Sequence, residues 1–244
     1  LANIDGIPIL RFNDFTDLKQ SEGLLKTHFD ELIAADHWII DVRECRGGSD
    51  NVYYPYLDFI YSPDYKSEQD NIVHLVTERN FINRMKIFQK YNQTGDNPFI
   101  NAFIEQMQLH RGKGFVRFDF SEFENEASFT GNTHPKQIVL LIDRYCSSSG
   151  EQFVIDASQS PKVTLIGRAT RGVLDYSNQA TEVFQEDGYE LFYATSRSDR
   201  VDKGTGIDFI GIQPDIHVPW TPQHINVDID IQQALGYLKS SSTW

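Results

Sequence analysis

The chain has 244 residues, enough for one large α/β domain with a real core or for two small ones. Its composition (40% hydrophobic, 13% aromatic, 23% charged) is that of an ordinary globular protein and argues against disorder. A formal charge of -13 disfavours binding to a phosphate backbone, and no apolar run approaches the roughly 20 residues that span a bilayer, so neither a nucleic-acid partner nor a membrane span is expected.

In chain order, IPILRF (7–12) reads as an opening strand. SEGLLKTHFDELIAA (21–35) sets Leu24, Leu25, Phe29, Leu32 and Ile33 at helical spacing and predicts one amphipathic helix. HWIIDVR (37–43) is a short β-branched run ending in a polar turn, the pattern of a buried strand, and residues 51–61 predict a second helix. Residues 62–137 are the least regular part, with helical stretches near 80–91 and 98–110 and a strand at GFVRFDF (114–120). They carry no readable chemistry and are expected to be an insertion or lid. QIVLLIDRYC (137–146) holds an unbroken apolar run from Ile138 to Ile142, which suits a parallel strand covered on both faces. GEQFVIDASQS (150–160) predicts a helix and KVTLIG (162–167) another buried strand, together a right-handed βαβ unit. EVFQEDGYELFYAT (182–195) alternates around Asp187-Gly188, a hairpin signal. GIQPDIHVP (211–219) is extended, and a helix over 226–239 closes the chain. There is no internal repeat or linker, so a single domain over 1–244 is expected. The chain opens at Leu1 with no signal-peptide pattern, the expectation for a mature or trimmed chain whose upstream N-terminal domain is missing.

Two turns could carry chemistry. CSSSGE leaves the strand 138–143 and enters a helix, so its serines could simply cap that helix, with Glu151 at the positive end of the helix dipole. The same geometry would present Ser148 as a nucleophile at the sheet edge, with the N–H of Ser149 free to hold an oxyanion. It is not the G-x-S-x-G elbow of α/β-hydrolases. IIDVRECRGGSD (39–50) runs from a buried strand into Gly47-Gly48. Those glycines make either a tight turn or a place where backbone approaches a ligand and donates a second oxyanion N–H, from Gly47 or Gly48. Both turns follow strand ends, where ligands of α/β sheets tend to sit. Cys45 and Cys146 flank the two turns. Two cysteines are too few for a disulfide scaffold or a zinc site, and the plain reading is two small buried side chains. They would reach disulfide distance only if the two strands are neighbours.

In this order the motifs resemble the C-terminal-processing (tail-specific) and tricorn-type serine peptidases. IIDVRECRGGSD matches the outline of that family's Asp-Leu-Arg-Asn-x-Gly-Gly-Gly segment, CSSSGEQF its Ser-Ala-Ser-Ala-Ser-Glu nucleophile segment, VTLIGRATRG its Gly-x-x-Thr-x-Gly segment, and GIQPD (211–215) its late Gly-Val/Ile-x-Pro-Asp. The resemblance covers about residues 7–240. It implies a crotonase-like (Clp protease-like) β/α spiral core with helices around it, an exported bacterial protein of the periplasm or cell envelope, a peptide or protein substrate near a C-terminus or in an unstructured segment, and no metal or other cofactor. Ser148 would attack the carbonyl, and the N–H groups of Ser149 and of Gly47 or Gly48 would hold the oxyanion.

A serine needs a base. The processing peptidases use a lysine shortly after the Thr-x-Gly segment, and Val173 stands at that position here. The tricorn type uses a histidine with a late glutamate three residues before the Gly-Val-x-Pro-Asp segment, and Asp208 matches that glutamate. Asp208 would then orient or charge the base, the alternative being a plain solvated carboxylate. His28, His37, His74, His110, His134, His217 and His224 fall in no matching motif. That gap supports an alternative function, an inactive relative that grips a peptide or hydrophobic ligand in the same cleft. A third reading, acyl chemistry on a coenzyme A thioester, rests on fold analogy alone and lacks a basic patch for the nucleotide phosphates.

Overall fold

The computed structural model describes residues 1–63, 65, 68, 71–92, 94–121, 129–186 and 188–241. In chain order the strands are β1 (Ala2–Ile4), β2 (Ile7–Arg11), β3 (His37–Asp41), β4 (Ile72–Val76), β5 (Gly114–Arg117), β6 (Gln137–Ile142), β7 (Val163–Gly167), β8 (Tyr176–Phe184), β9 (Tyr189–Ser198) and β10 (Ile216–His217). The helices are α1 (Leu18–Thr27), α2 (Phe29–Ala34), α3 (Tyr54–Ile60), α4 (Glu78–Tyr91), α5 (Pro98–Leu109), α6 (Ser149–Ser158), α7 (Arg200–Lys203) and α8 (Ile229–Ser241). They form two compact units, one from Leu1–Glu68, Phe129–Leu174 and Ile207–Trp244, the other from Gln69–Ser128 and Asp175–Gly206. Of the expected irregular region 62–137, residues 69–128 fall in the second unit together with the hairpin β8–β9, while 62–68 and 129–137 belong to the first.

The first unit is an α/β layer structure. Its six-stranded sheet has the order β1-β2-β3-β6-β7-β10, parallel throughout except for β1. The apolar run Ile138–Ile142 is buried residue by residue because successive side chains enter opposite cores. Ile138, Leu140 and Ile142 join Leu10, Trp38 and Ile40 against Tyr53, Tyr56 and Phe153 on one face. Val139 and Leu141 join Ile9, Ile39 and Ile166 against Ala234 and Leu238 of α8 on the other. The helix expected over 21–35 breaks at His28, whose N–H still reaches the Leu24 carbonyl while its own backbone leaves the helical region at φ -109°, ψ 15°. The helix expected over 51–61 begins as a 3-10 turn at Asp50–Val52 and becomes α-helical at Tyr54, with Pro55 in its first turn, where a missing N–H costs nothing.

The second unit is an antiparallel sheet, β5-β4-β9-β8, whose small core is Val76, Met107 and Phe118. α4 and α5 start on side-chain caps, Thr77 Oγ1 accepting from Asn80 N–H and Asn97 Oδ1 from Ile100 N–H. The predicted hairpin forms, with Phe184 opposite Tyr189, although Asp187 lies outside the described residues.

A charge cluster fixes α8 to the sheet. Arg43, just past β3, makes a double contact with Asp41 (2.9 and 2.8 Å) and reaches Asp228 (2.7 Å) and Asp230 (2.8 Å). Arg168, just past β7, grips Asp230 with both guanidinium branches (2.9 and 2.6 Å). Asp230 is fully buried. Burial alone would raise its pKa, but the hydrogen bonds from Arg168 and Arg43 outweigh that and leave it below the usual carboxylate range. Removing one partner of such a cluster strands buried charge.

Two outcomes follow for the fold. Asp230→Ala should lower unfolding free energy at pH 7 by about 3–5 kcal/mol in urea titrations. Because the folded pKa of Asp230 is depressed, its stabilisation is present above the unfolded value and fades as pH falls through the folded one, so wild type and variant should converge in acid. The neighbouring strands β3 and β6 also bring Cys45 and Cys146 together as buried free thiols. Burial pushes Cys45 up to about 11 and Cys146 well above its ordinary value. Alkylation of the native protein at pH 8 should leave both unmodified, and alkylation after denaturation without reductant should add two adducts by intact mass. No adducts after denaturation would reveal a disulfide.

Candidate active site

Because β3 and β6 are adjacent and parallel, with Asp41 opposite Leu141, the turns that follow them leave the same edge of the sheet side by side. Backbone and carboxylate bonds lock them together. Ser147 N–H donates to the Cys45 carbonyl (2.9 Å), Ser149 Oγ to the Gly48 carbonyl (2.8 Å), and Asp143 Oδ1 accepts from both Glu44 N–H (3.1 Å) and Tyr145 N–H (2.9 Å). The glycines permit the approach. A Cβ on Gly47 would lie 2.8 Å from Ser148 Cβ, and one on Gly150 would lie 2.9 Å from the Cys45 carbonyl oxygen. Gly48 is held from its other side by the loop around Phe15, whose N–H donates to the Gly47 carbonyl (2.8 Å) and whose carbonyl accepts from Ser49 N–H (2.8 Å).

Ser148 is the N-cap of α6, half-buried, with φ 55° and ψ -127°. A positive φ on a non-glycine residue costs of order 1–3 kcal/mol and needs its surroundings to impose it. Glu151 supplies much of that. Its carboxylate is fully buried. Oε1 accepts from Thr170 Oγ1 and Gly172 N–H (both 2.6 Å), and Oε2 from Val173 N–H (3.0 Å) and Ser148 N–H (3.3 Å). One carboxylate therefore ties the serine turn to the 170–173 loop. The Ser-x-x-Glu spacing of a capping box was the signal for it in the sequence, where Glu151 read only as a dipole partner.

The N–H groups differ in what they are free to do. Gly47 N–H lies by the Cys45 sulfur, where it eases ionisation of that thiol. The N–H groups of Gly48 and Ser149 donate to no protein acceptor among the described residues. The TRG and GIQPD segments interlock behind the site. Thr170 N–H donates to the Ile212 carbonyl (3.1 Å), Ile212 N–H donates to Thr170 Oγ1 (2.7 Å), and Phe209 N–H donates to the Gly172 carbonyl (2.8 Å). Asp208 sits in this second layer, its Oδ1 accepting from Leu174 N–H (2.8 Å). Asp215 caps the interior, taking Leu165 N–H on Oδ2 (2.8 Å).

No histidine or lysine hydrogen-bonds the Ser148 hydroxyl among the described residues. His28 pairs with Glu31 (3.3 Å), His134 with Asp36 (3.2 Å), and His224 faces Thr221 and Asp230. Val173, half-exposed, uses its N–H on Glu151. A carboxyl that the sequence did not single out, Asp50, lies beside Ser149. Burial pushes it up, the Ser149 hydroxyl pulls it back, and its Oδ1 has no partner among the described residues. The described residues also contain no cluster of His, Cys, Asp and Glu able to hold a metal ion.

Known proteins share this architecture. Mature CPAF superposes with a TM-score of 0.63 at 15% identity over 93% of this chain and 49% of its own. A candidate peptidase from Parabacteroides merdae gives 0.60 at 17% identity over 96% of this chain and 61% of its own, and a lipoprotein from Streptococcus agalactiae 0.53 at 16% over 98% and 68%. The chain thus spans about half the length of CPAF. No curated protein sequence matches it. At such identities the superpositions carry the fold alone, but the family model for Peptidase family S41 matches residues 6–218, which contain both turns and the interlocked segments behind them. The chain belongs to peptidase family S41.

Proposed function

We propose that this chain is a serine-type peptidase region acting on peptide bonds in C-terminal or unstructured segments, with Ser148 as nucleophile. The observation that carries this reading is the conformation of Ser148, a strained N-cap serine at the carboxyl edge of a parallel sheet, half-open to solvent. In this reading Ser148 Oγ attacks the substrate carbonyl carbon, and the developing oxyanion is held by the unengaged N–H groups of Gly48 and Ser149 at the positive end of α6. Gly47 contributes by close approach, its own N–H being turned to Cys45. Asp208 acts through the 172–174 loop, placing whatever group takes the Ser148 proton. No cofactor enters the chemistry. An exported setting accords with the lipoprotein among the structural relatives, and no helix of the described residues is long and apolar enough to cross a membrane.

The absence of a histidine or lysine on the Ser148 hydroxyl among the described residues favours one second reading, a silent relative that binds a peptide or hydrophobic ligand in the same place. The two differ in covalent reactivity. Under the first, a fluorophosphonate probe labels the wild-type chain and not Ser148→Ala; equal labelling of both would overturn it. Under the second, peptides bind saturably, binding survives Ser148→Ala, and nothing is labelled. The frame around the serine has its own expected outcome. Glu151→Gln keeps the size but places an amide N–H₂ against N–H donors, at a cost of about 1–3 kcal/mol. Labelling of Ser148 should fall at least tenfold while circular dichroism stays that of the wild type.

A further inference from the structure

The second unit contains an arginine to which the described residues offer no counter-charge. Arg84 projects from α4 into a cleft of about 30 Å³ lined by Asn83, Ile87, Phe103, Gln179 and Thr195. Its guanidinium lies 5.8 Å from the ring centre of Phe103 and 5.9 Å from that of Phe88. Nη2 donates to Thr195 Oγ1 (3.2 Å), and no carboxylate reaches it among the described residues. Arginines elsewhere are differently served. Arg43, Arg168 and Arg200, each largely buried, all meet aspartates within 3.1 Å. In a chain of net charge -13, carboxylates are abundant, yet among the described residues none lies at this guanidinium.

The rest of the lining completes the picture. His74, also in the cleft, is stacked on Phe118 (4.5 Å) and edge-on to Phe103 (5.0 Å). Burial and then the nearby Arg84 charge lower its pKa to about 4, so it is neutral at physiological pH and leaves one positive charge to be balanced. The side-chain amides of Asn83 and Gln179 make no hydrogen bond among the described residues. The apolar side chains of Ile87, Phe103 and Met107 form the remaining wall.

We propose that this cleft is a carboxylate-binding site, with Arg84 as a forked donor to the two oxygens and Asn83, Gln179 and Thr195 around them. A monovalent, planar acceptor matches a single guanidinium in shape and charge. A space of about 30 Å³ is roughly what two oxygen atoms occupy, taking one water-sized probe as about 10–15 Å³. The apolar wall suits a carbon chain attached to that carboxylate. The source is either the free end of a peptide or a small organic acid. The site stands independently of Ser148, because its occupancy is read by binding and not by turnover.

Nuclear magnetic resonance titration of the whole chain tests it, with acetate, with inorganic phosphate, and with one apolar tetrapeptide in free-carboxylate and C-terminally amidated forms. Saturable shifts of the Arg84 Nε–H and the Thr195 and Gln179 resonances are expected with acetate. Binding should weaken at least tenfold in Arg84→Gln and at least threefold in Arg84→Lys, which keeps the charge but loses the fork and serves as the second variant if the neutral one folds poorly. A free-carboxylate peptide that binds at least tenfold tighter than acetate, with no binding by its amide, assigns the site to peptide ends. Equal affinity of peptide and acetate assigns it to small acids. No saturable shift in the wild type, undiminished binding in Arg84→Gln, or tighter binding of phosphate than of acetate would overturn the proposal.

Discussion

The Glu151 carboxylate is the interaction on which the site geometry depends. It is enclosed, and it reaches its ionised form's full acceptor capacity through four donors from three places in the chain, the serine turn, Thr170 and the Gly172-Val173 backbone. A buried carboxylate without such donors would be strongly unfavourable, so the loop at 170–173 and the turn at 146–150 must come together for either to be stable. That mutual requirement propagates. The 170–173 loop is itself held by backbone bonds to Phe209 and Ile212, so segments far apart in sequence are ordered by one charge.

Much of this was readable from residue patterns, and the exceptions have physical reasons. The run Ile138–Ile142 announced a strand covered on both faces, and Gly47-Gly48 and the triple serine announced turns at strand ends. Local chemistry determines such features, so they survive the absence of three-dimensional knowledge. The break at His28 was hidden because Leu24, Leu25, Phe29, Leu32 and Ile33 keep helical spacing across it. β1 is three exposed residues, too short for any period to show. Only the bond from Ser148 N–H to Glu151 was legible, as Ser-x-x-Glu spacing; the other partners of Glu151 lie 19 to 22 positions downstream, and the isolation of Arg84 is a statement about what does not surround it, which no one-dimensional pattern encodes.

The charge distribution separates two uses of burial. Around Asp230, Arg43 and Arg168 pair with Asp41, Asp228 and Asp230, with Arg11 also reaching Asp41 (3.7 Å), and the product is rigidity, since α8 is pinned to the ends of β3 and β7. Around Ser148, burial instead spares backbone N–H groups from partners while gripping everything behind them. The first arrangement pairs its charged groups and the second leaves the Gly48 and Ser149 N–H groups without protein acceptors among the described residues, the difference between a structural joint and the open turn on which the proposed function rests.

The backbone of Ser148 separates what this turn costs from what it presents. Glycine adopts φ near +55° without the steric penalty that a Cβ incurs, and the space at this turn would accept the loss of a side chain. A glycine at this position would therefore relieve the backbone strain while removing the hydroxyl and the cap that the serine gives α6. What the turn offers to chemistry, a hydroxyl, is thus set apart from what it costs the backbone, a positive φ on a residue with a Cβ.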